Sequence, residues 1–298
     1  MSCFFYWNRM QLNHAVVLTL IAASLAACGG GGSSSPSDTA VAVNPPVNPP
    51  VTPVTPVTPP VVPVTPTATG ENTGAVSARF VNGDNSRFIF TAIGLQSSGK
   101  ASLLVQDTSG AVSNIGSIVL TGNPSVTREI SGDAAFAQGR WFKGSFSSIS
   151  GATTLTGNNA SAHYVAYNVL AALPATGTFT CDAGTFTAPS YTGGTNVSSS
   201  GYFGTASGTA SMSFDASGAK IALAIDASAG GSTGKVSAST TIASPASSSI
   251  TGGYLSSGTG AQLMLGDGGA GRYLLIAAYK AQLANGANYQ GVATFRCS

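Results

Sequence analysis

Charge is scarce in this sequence. Only 7% of its 298 residues are charged, 12 lysines and arginines against 10 acidic residues, for a formal net charge of +2. With no basic stripe to neutralise phosphates, nucleic acid is excluded as a partner. Histidine is scarcer still, with only His14 and His163, and the four cysteines, Cys3, Cys28, Cys181 and Cys297, never fall in a Cys-x-x-Cys pair. That spacing excludes the compact thiolate and imidazole sets that hold zinc. Helical periodicity is almost missing, which argues against a helix bundle or coiled coil. No apolar run reaches the roughly 20 residues that a membrane-spanning helix needs.

What is present begins with a short greasy run. Ala15 to Ala27 has the length of a signal-peptide core, and Arg9 and His14 give it a modestly basic front. Either Met1 or Met10 can serve as its start. It ends in Leu25-Ala26-Ala27-Cys28, small side chains before a thiol, which resembles the lipobox of bacterial lipoproteins. That resemblance implies removal of residues 1–27 and lipidation of Cys28. Because Gly29 rather than an aspartate follows, it further implies delivery to the bacterial outer membrane and the cell surface. Anchoring by more than one acyl chain is stable, at about 0.8 kcal/mol per buried methylene. An ordinary secretory signal that happens to carry a cysteine is the alternative.

Residues 28–70 read as a tether. Glycines and serines come first, then "NPPVNPPVTPVTPVTPPVVPVTP" at 44–66. So many prolines favour polyproline II, and this stretch would reach roughly 70 Å at about 3.1 Å per residue. Once the signal is removed and Cys28 carries lipid, Cys181 and Cys297 remain. In an oxidising exported compartment such a pair is expected to form a disulfide.

From residue 71 on, period-two alternation recurs between Gly, Asn, Asp and Ser turns. Strands are expected at 87–95, 100–120 with a hairpin turn at Asp107-Thr108-Ser109-Gly110, 140–149 and 161–170. Eight more follow at 176–181, 205–215, 219–226, 234–242, 249–255, 261–267, 271–282 and 289–297. The fold class is therefore all-β. A β-rich domain at 71–175 precedes an eight-stranded antiparallel up-and-down barrel at 176–298. A two-sheet sandwich is the alternative. Barrel closure would pair the first and last of the eight strands. Phe179 and Cys181 share one face of the first, Phe295 and Cys297 one face of the last, so matching registers would bring the cysteines into bonding range.

Several motifs carry a further resemblance. Ala162-His163-Tyr164-Val165 followed by Ala172-Leu173-Pro174-Ala175-Thr176-Gly177-Thr178-Phe179 resembles the entry into the barrel domain of transferrin-binding-protein-B-like lipoproteins. Ile250-Thr251-Gly252-Gly253-Tyr254 with Gly260-Ala261, and Gly291-Val292-Ala293-Thr294-Phe295, are similar to later segments of that domain. The resemblance covers residues 160–298. It implies a handle domain before the barrel, and a binding function directed at host proteins or haem.

Candidate site residues are few. The stretch Ala188 to Phe203 is too long for a hairpin connection and is read as a loop, with Tyr191, Tyr202 and Phe203 as recognition aromatics. Tyr202 and Phe203 can equally begin the next strand and pack inward. His163 reads as a strand histidine, with a haem or metal ligand or a catalytic base as the sharper alternatives. Asp107, Asp133, Asp182, Asp215, Asp226 and Asp267 fall mostly at turns, where a carboxylate bonds backbone amides. No catalytic set, cofactor or metal site is singled out. The expected protein is a monomeric, non-enzymatic, membrane-anchored binding module. A structural or adhesive envelope protein without a small ligand is the alternative.

Overall fold

In the computed structural model, residues 68–71, 75–156 and 160–298 are described, and they fall in one compact unit. The expected signal segment, lipidated Cys28 and the tether up to residue 67 lie outside them. Residues 68–70, expected to end the tether, instead belong to a strand, β1 (Ala68–Glu71), which pairs in parallel with Ser125–Arg128.

Among the described residues, all the regular structure is β, apart from one short 3-10 turn at Val197–Gly201. The first sheet contains β2 (Ser86–Ala92), β3 (Leu95–Lys100), β4 (Leu104–Gln106), β5 (Val112–Ile115), β6 (Ile118–Asp133), β7 (Phe136–Ser148), β8 (Gly151–Thr154) and β9 (Ala162–Asn168). Its strand order is β3-β2-β9-β7-β6-β5-β4, with β1 on β6 and β8 on β7. The second sheet is β10 (Gly177–Thr180), β13 (Thr205–Asp215), β14 (Gly218–Ala229) and β15 (Ser232–Ile242). The third runs β11 (Thr185–Phe186), β19 (Ala287–Cys297), β18 (Arg272–Gln282), β17 (Gly260–Gly269), β16 (Ser248–Gly252), with β12 (Ser190–Gly194) also on β19.

The expected closed barrel is not made. Its eight strands divide between the second and third sheets, and no ladder joins β15 to β16. A side-chain bond between Thr240 and Ser249 hydroxyls, 2.6 Å apart, spans that seam. On the opposite side β10 and β19 meet at one antiparallel bridge, Cys181 against Cys297, where the two sulfurs are bonded. The physical reason lies in the strand ends. β16 has five residues, and Pro245 in the preceding connection cannot donate to a ladder.

Period two explains how the layers stack. On β14 and β15, Ile221, Leu223, Ile225 and Val236 point into a core shared with Leu263, Leu275, Ala277, Tyr289 and Phe295 of the third sheet. The other face of the third sheet is buried as well. Met264, Leu274, Ile276, Ala278 and Val292 pack against Ile89, Phe136, Val165 and Tyr167 of the first sheet. The third sheet is therefore a central layer, which is why β18 reads "YLLIAAYKAQ" without clean alternation. A third core, built on Phe90, Trp141, Phe146 and Tyr164, fills the far side of the first sheet.

Candidate ligand cleft between the first and third sheets

The contact between these two sheets changes character along its length. In the middle it is the apolar cluster just described. On either side of Val292, the same alternate positions of β19 are Asn288, Gln290 and Thr294, and all three are buried. Polar groups buried there need partners, since an unpaired one costs about 1–3 kcal/mol. Thr294 donates to Gln138 Oε1 at 2.8 Å, and the Gln138 amide donates to the Thr185 carbonyl at 3.1 Å. Thr91 donates to Gln290 Oε1 at 3.1 Å. Arg296 on β19 reaches Asp133 at the end of β6, tying the sheets by an ion pair.

His163 lies in this seam, fully buried on β9, with Nδ1 2.8 Å from the Thr187 hydroxyl and Nε2 2.8 Å from the Ser190 hydroxyl. Thr187 Oγ1 also accepts from the Val292 amide at 3.1 Å and lies 3.4 Å from the Val292 carbonyl. A proton on Nδ1, donated to Thr187, with Ser190 donating to Nε2, satisfies the most groups. Burial, and then the nearby Arg140 charge, hold the imidazole well below its usual pKa, so it is neutral. Both nitrogens are engaged, and the ring, Thr187 and Ser190 are all at 0% exposure, so the imidazole is closed to iron and to substrate. Arg140 is itself buried, and its guanidinium forks onto Glu129 and donates to Ser161 at 2.7 Å.

Beyond the seam the sheets part and leave a cleft of about 410 Å³. Its walls are the β2–β3 turn (Ala92, Ile93, Gly94), Thr192 and Gly194 of β12, and Leu255, Ser256 and Ser257 after β16; Gln96, Lys280, Asn288 and Gln290 complete it. Ile93 and Leu255 are 49% and 64% exposed, an apolar mouth over a polar interior. Lys280 is the charge that interrupts the apolar run of β18. It is 9% exposed, and its ammonium donates to the carbonyls of Tyr254 at 3.0 Å and Ser256 at 2.5 Å. Among the described residues no carboxylate pairs with it. Desolvation lowers its pKa. Two further polar atoms of the cleft residues, Asn288 Oδ1 and Gln290 Nε2, are buried without a hydrogen-bond partner.

The residues singled out from sequence fall elsewhere. Ala188 to Phe203 is not an open loop, because it holds β12 and the 3-10 turn. Tyr191 sits on β12 opposite Tyr289, with ring centroids 5.9 Å apart, half-buried against the core. Tyr202 and Phe203 are 52% and 49% exposed, between the 3-10 turn and β13. Phe203 stacks 5.9 Å from Phe142, whose ring also carries the Arg128 guanidinium at 3.8 Å. The three aromatics do not converge on one site. The carboxylates do what their turns suggest: Asp107, Asp133, Asp182, Asp215 and Asp267 each accept from a backbone amide two residues on. Asp226 instead faces its cross-strand partner Lys235 at 3.5 Å. Gly230-Gly231-Ser232-Thr233-Gly234 has the Gly-x-Ser-x-Gly form but turns the β14–β15 hairpin rather than opening a helix. Lys280, Asn288 and Gln290 were not marked in sequence. The one available signal was a lone lysine inside an apolar strand.

Comparison with known proteins gives no match to this chain, whether among family models, curated proteins or solved structures.

Proposed function

We propose that this chain is a lipid-anchored protein of the bacterial outer membrane that captures a ligand, a host protein or a host-derived small molecule, without transforming it. The sequence resemblance to transferrin-binding-protein-B-like lipoproteins, without their closed barrel, is the frame for this reading, and the lipobox-like segment and proline-rich tether support the anchor. The observation that carries the binding function is the cleft between the first and third sheets, with its apolar mouth and buried lysine. A concave site lined by apolar groups with a few convergent polar ones is the usual form of a ligand pocket. His163 is read as a structural residue, since its ring, Thr187 and Ser190 are all buried. The test is capture from host serum by the chain lacking residues 1–28. Specific retention of a component, lost when the cleft is filled by Ser257→Trp, is expected. Retention unaffected by that change would move the site off the cleft.

The alternative, an adhesive envelope protein, draws on the outward face of the second sheet. Ser207, Thr209, Ser211, Ser237, Ser239 and Thr241 present an exposed hydroxyl surface there, interrupted by Lys220, Asp226 and Lys235. Self-association in the absence of serum, with no component retained, would favour it.

A further inference from the structure

The interior of the cleft has a polarity that selects among ligands. Lys280 has three N–H donors, and two of them are accounted for by the Tyr254 and Ser256 carbonyls. Among the described residues, those dipoles alone compensate the positive charge. The Gln290 side chain, 1% exposed, uses one amide atom on Thr91 and leaves the other without a partner. Turning the amide over exchanges nitrogen for oxygen and still leaves one atom unpaired. Asn288, 7% exposed, has an unpaired carbonyl oxygen. Buried polar atoms without partners are a small minority in native proteins, and each asks for a missing group. Here two of them belong to residues that line one cleft together with an ammonium that lacks a counter-ion.

We infer that this cleft takes a small organic carboxylate that bears a hydroxyl or N–H group beside the acid and a short apolar side chain. The carboxylate meets the Lys280 ammonium. The Asn288 oxygen, closed off from the cleft, turns to take the neighbouring donor, and the apolar part lies between Ile93 and Leu255 at the mouth. N-acylated amino acids and 2-hydroxy acids have this pattern. A cleft of about 410 Å³ accommodates molecules of that size but not a folded protein. The assignment deepens the proposal of a ligand-binding module at this cleft and rests on it.

The probe is N-acetyl-L-leucine titrated into the whole chain and followed by NMR, with N-acetyl-L-leucine amide as the neutral control. Saturable shifts in residues around the cleft are expected with the acid. The amide, which lacks the charge, is expected to bind about tenfold more weakly or worse, as loss of a charge-assisted hydrogen bond implies. Lys280→Met should abolish the preference for the acid. Because Lys280 also holds the turn after β16, Gln290→Glu serves as a second variant. It keeps the shape and an oxygen for Thr91 but places negative charge beside the incoming carboxylate, so it too should remove binding of the acid. Equal binding of acid and amide, no shift with either, or full affinity in a folded Gln290→Glu protein would overturn the assignment. Serum capture that persists in both variants would show that the carboxylate assignment fails while the broader reading of a binding protein stands.

Discussion

His163 shows how one residue can look functional and act structurally. Its imidazole stays neutral because burial and the Arg140 charge disfavour protonation, while the unfolded chain protonates near the ordinary value of about 6.5. Below that value the unfolded state binds more protons than the native state, so stability falls as pH falls. Denaturant unfolding between about pH 6.5 and 5 should therefore lose up to about 1.4 kcal/mol per pH unit from this group alone. His163→Gln should flatten that slope while lowering stability near pH 7, where the bonds to Thr187 and Ser190 are at stake. A slope unchanged by the substitution would mean that the acid sensitivity comes from elsewhere.

At the scale of strands, two tyrosines use the same packing device. Tyr279 on β18 lies opposite Gly291 on β19, and Tyr164 on β9 lies opposite Gly139 on β7. In each pair the tyrosine crosses the glycine so closely that a methyl group at the glycine would sit 2.6 Å or 2.5 Å from the phenolic oxygen. Both rings are fully buried and have nowhere to go. Gly291→Ala should cost about 1–3 kcal/mol in chemical denaturation, the usual effect of overpacking. The companion change Tyr279→Phe, which removes the crowded oxygen, should recover part of it. Failure of that rescue would place the crowding at the backbone instead.

The strands themselves were largely legible, because β13 to β15 and β17 to β19 alternate or run apolar between turn residues. Some features were not. Most of β6 (Ile118–Asp133) and all of β8 (Gly151–Thr154) lie where no strand is expected. β12 carries Pro189 just before it and two glycines within it, at φ +128° and +109°, so it reads as loop. Only the distant partner strand, Ala287 to Gln290, makes it a strand. A further concealed feature is the polar face of β19. Asn288, Gln290, Thr294 and Arg296 alternate with Tyr289, Ala293 and Phe295 as a solvent face would, yet that face is covered by the first sheet. Alternation reports polarity, not exposure, and a polar face buried against another sheet has the same pattern as one in water. The cleft followed from that concealed burial, and so it could not be read in advance.

For the molecule as a whole, the 116-residue separation of Cys181 and Cys297 makes their bond a long-range constraint. The chain-entropy account assigns about 4.7 kcal/mol to a loop of about that length. Reduction, or replacement of both cysteines by alanine, should lower the unfolding midpoint by a corresponding amount, measured with the cysteines oxidised and reduced. The shared core of the second and third sheets should keep the reduced protein folded. A change under about 1 kcal/mol would mean that the unfolded chain is already compact near these two positions.

The same bond has a mechanical consequence when set against the seam with no ladder on the other side. The second and third sheets are bound like the leaves of a book, sewn at Cys181–Cys297 and loose at the fore-edge between β15 and β16. β16 hangs on that fore-edge, paired through five residues to β17 alone, and the turn that follows it supplies the Leu255, Ser256 and Ser257 wall of the cleft. The Lys280 ammonium, holding the carbonyls of Tyr254 and Ser256, is the clasp on that turn. Whatever enters the cleft and engages the clasp acts directly on the part of the binding that is least securely sewn.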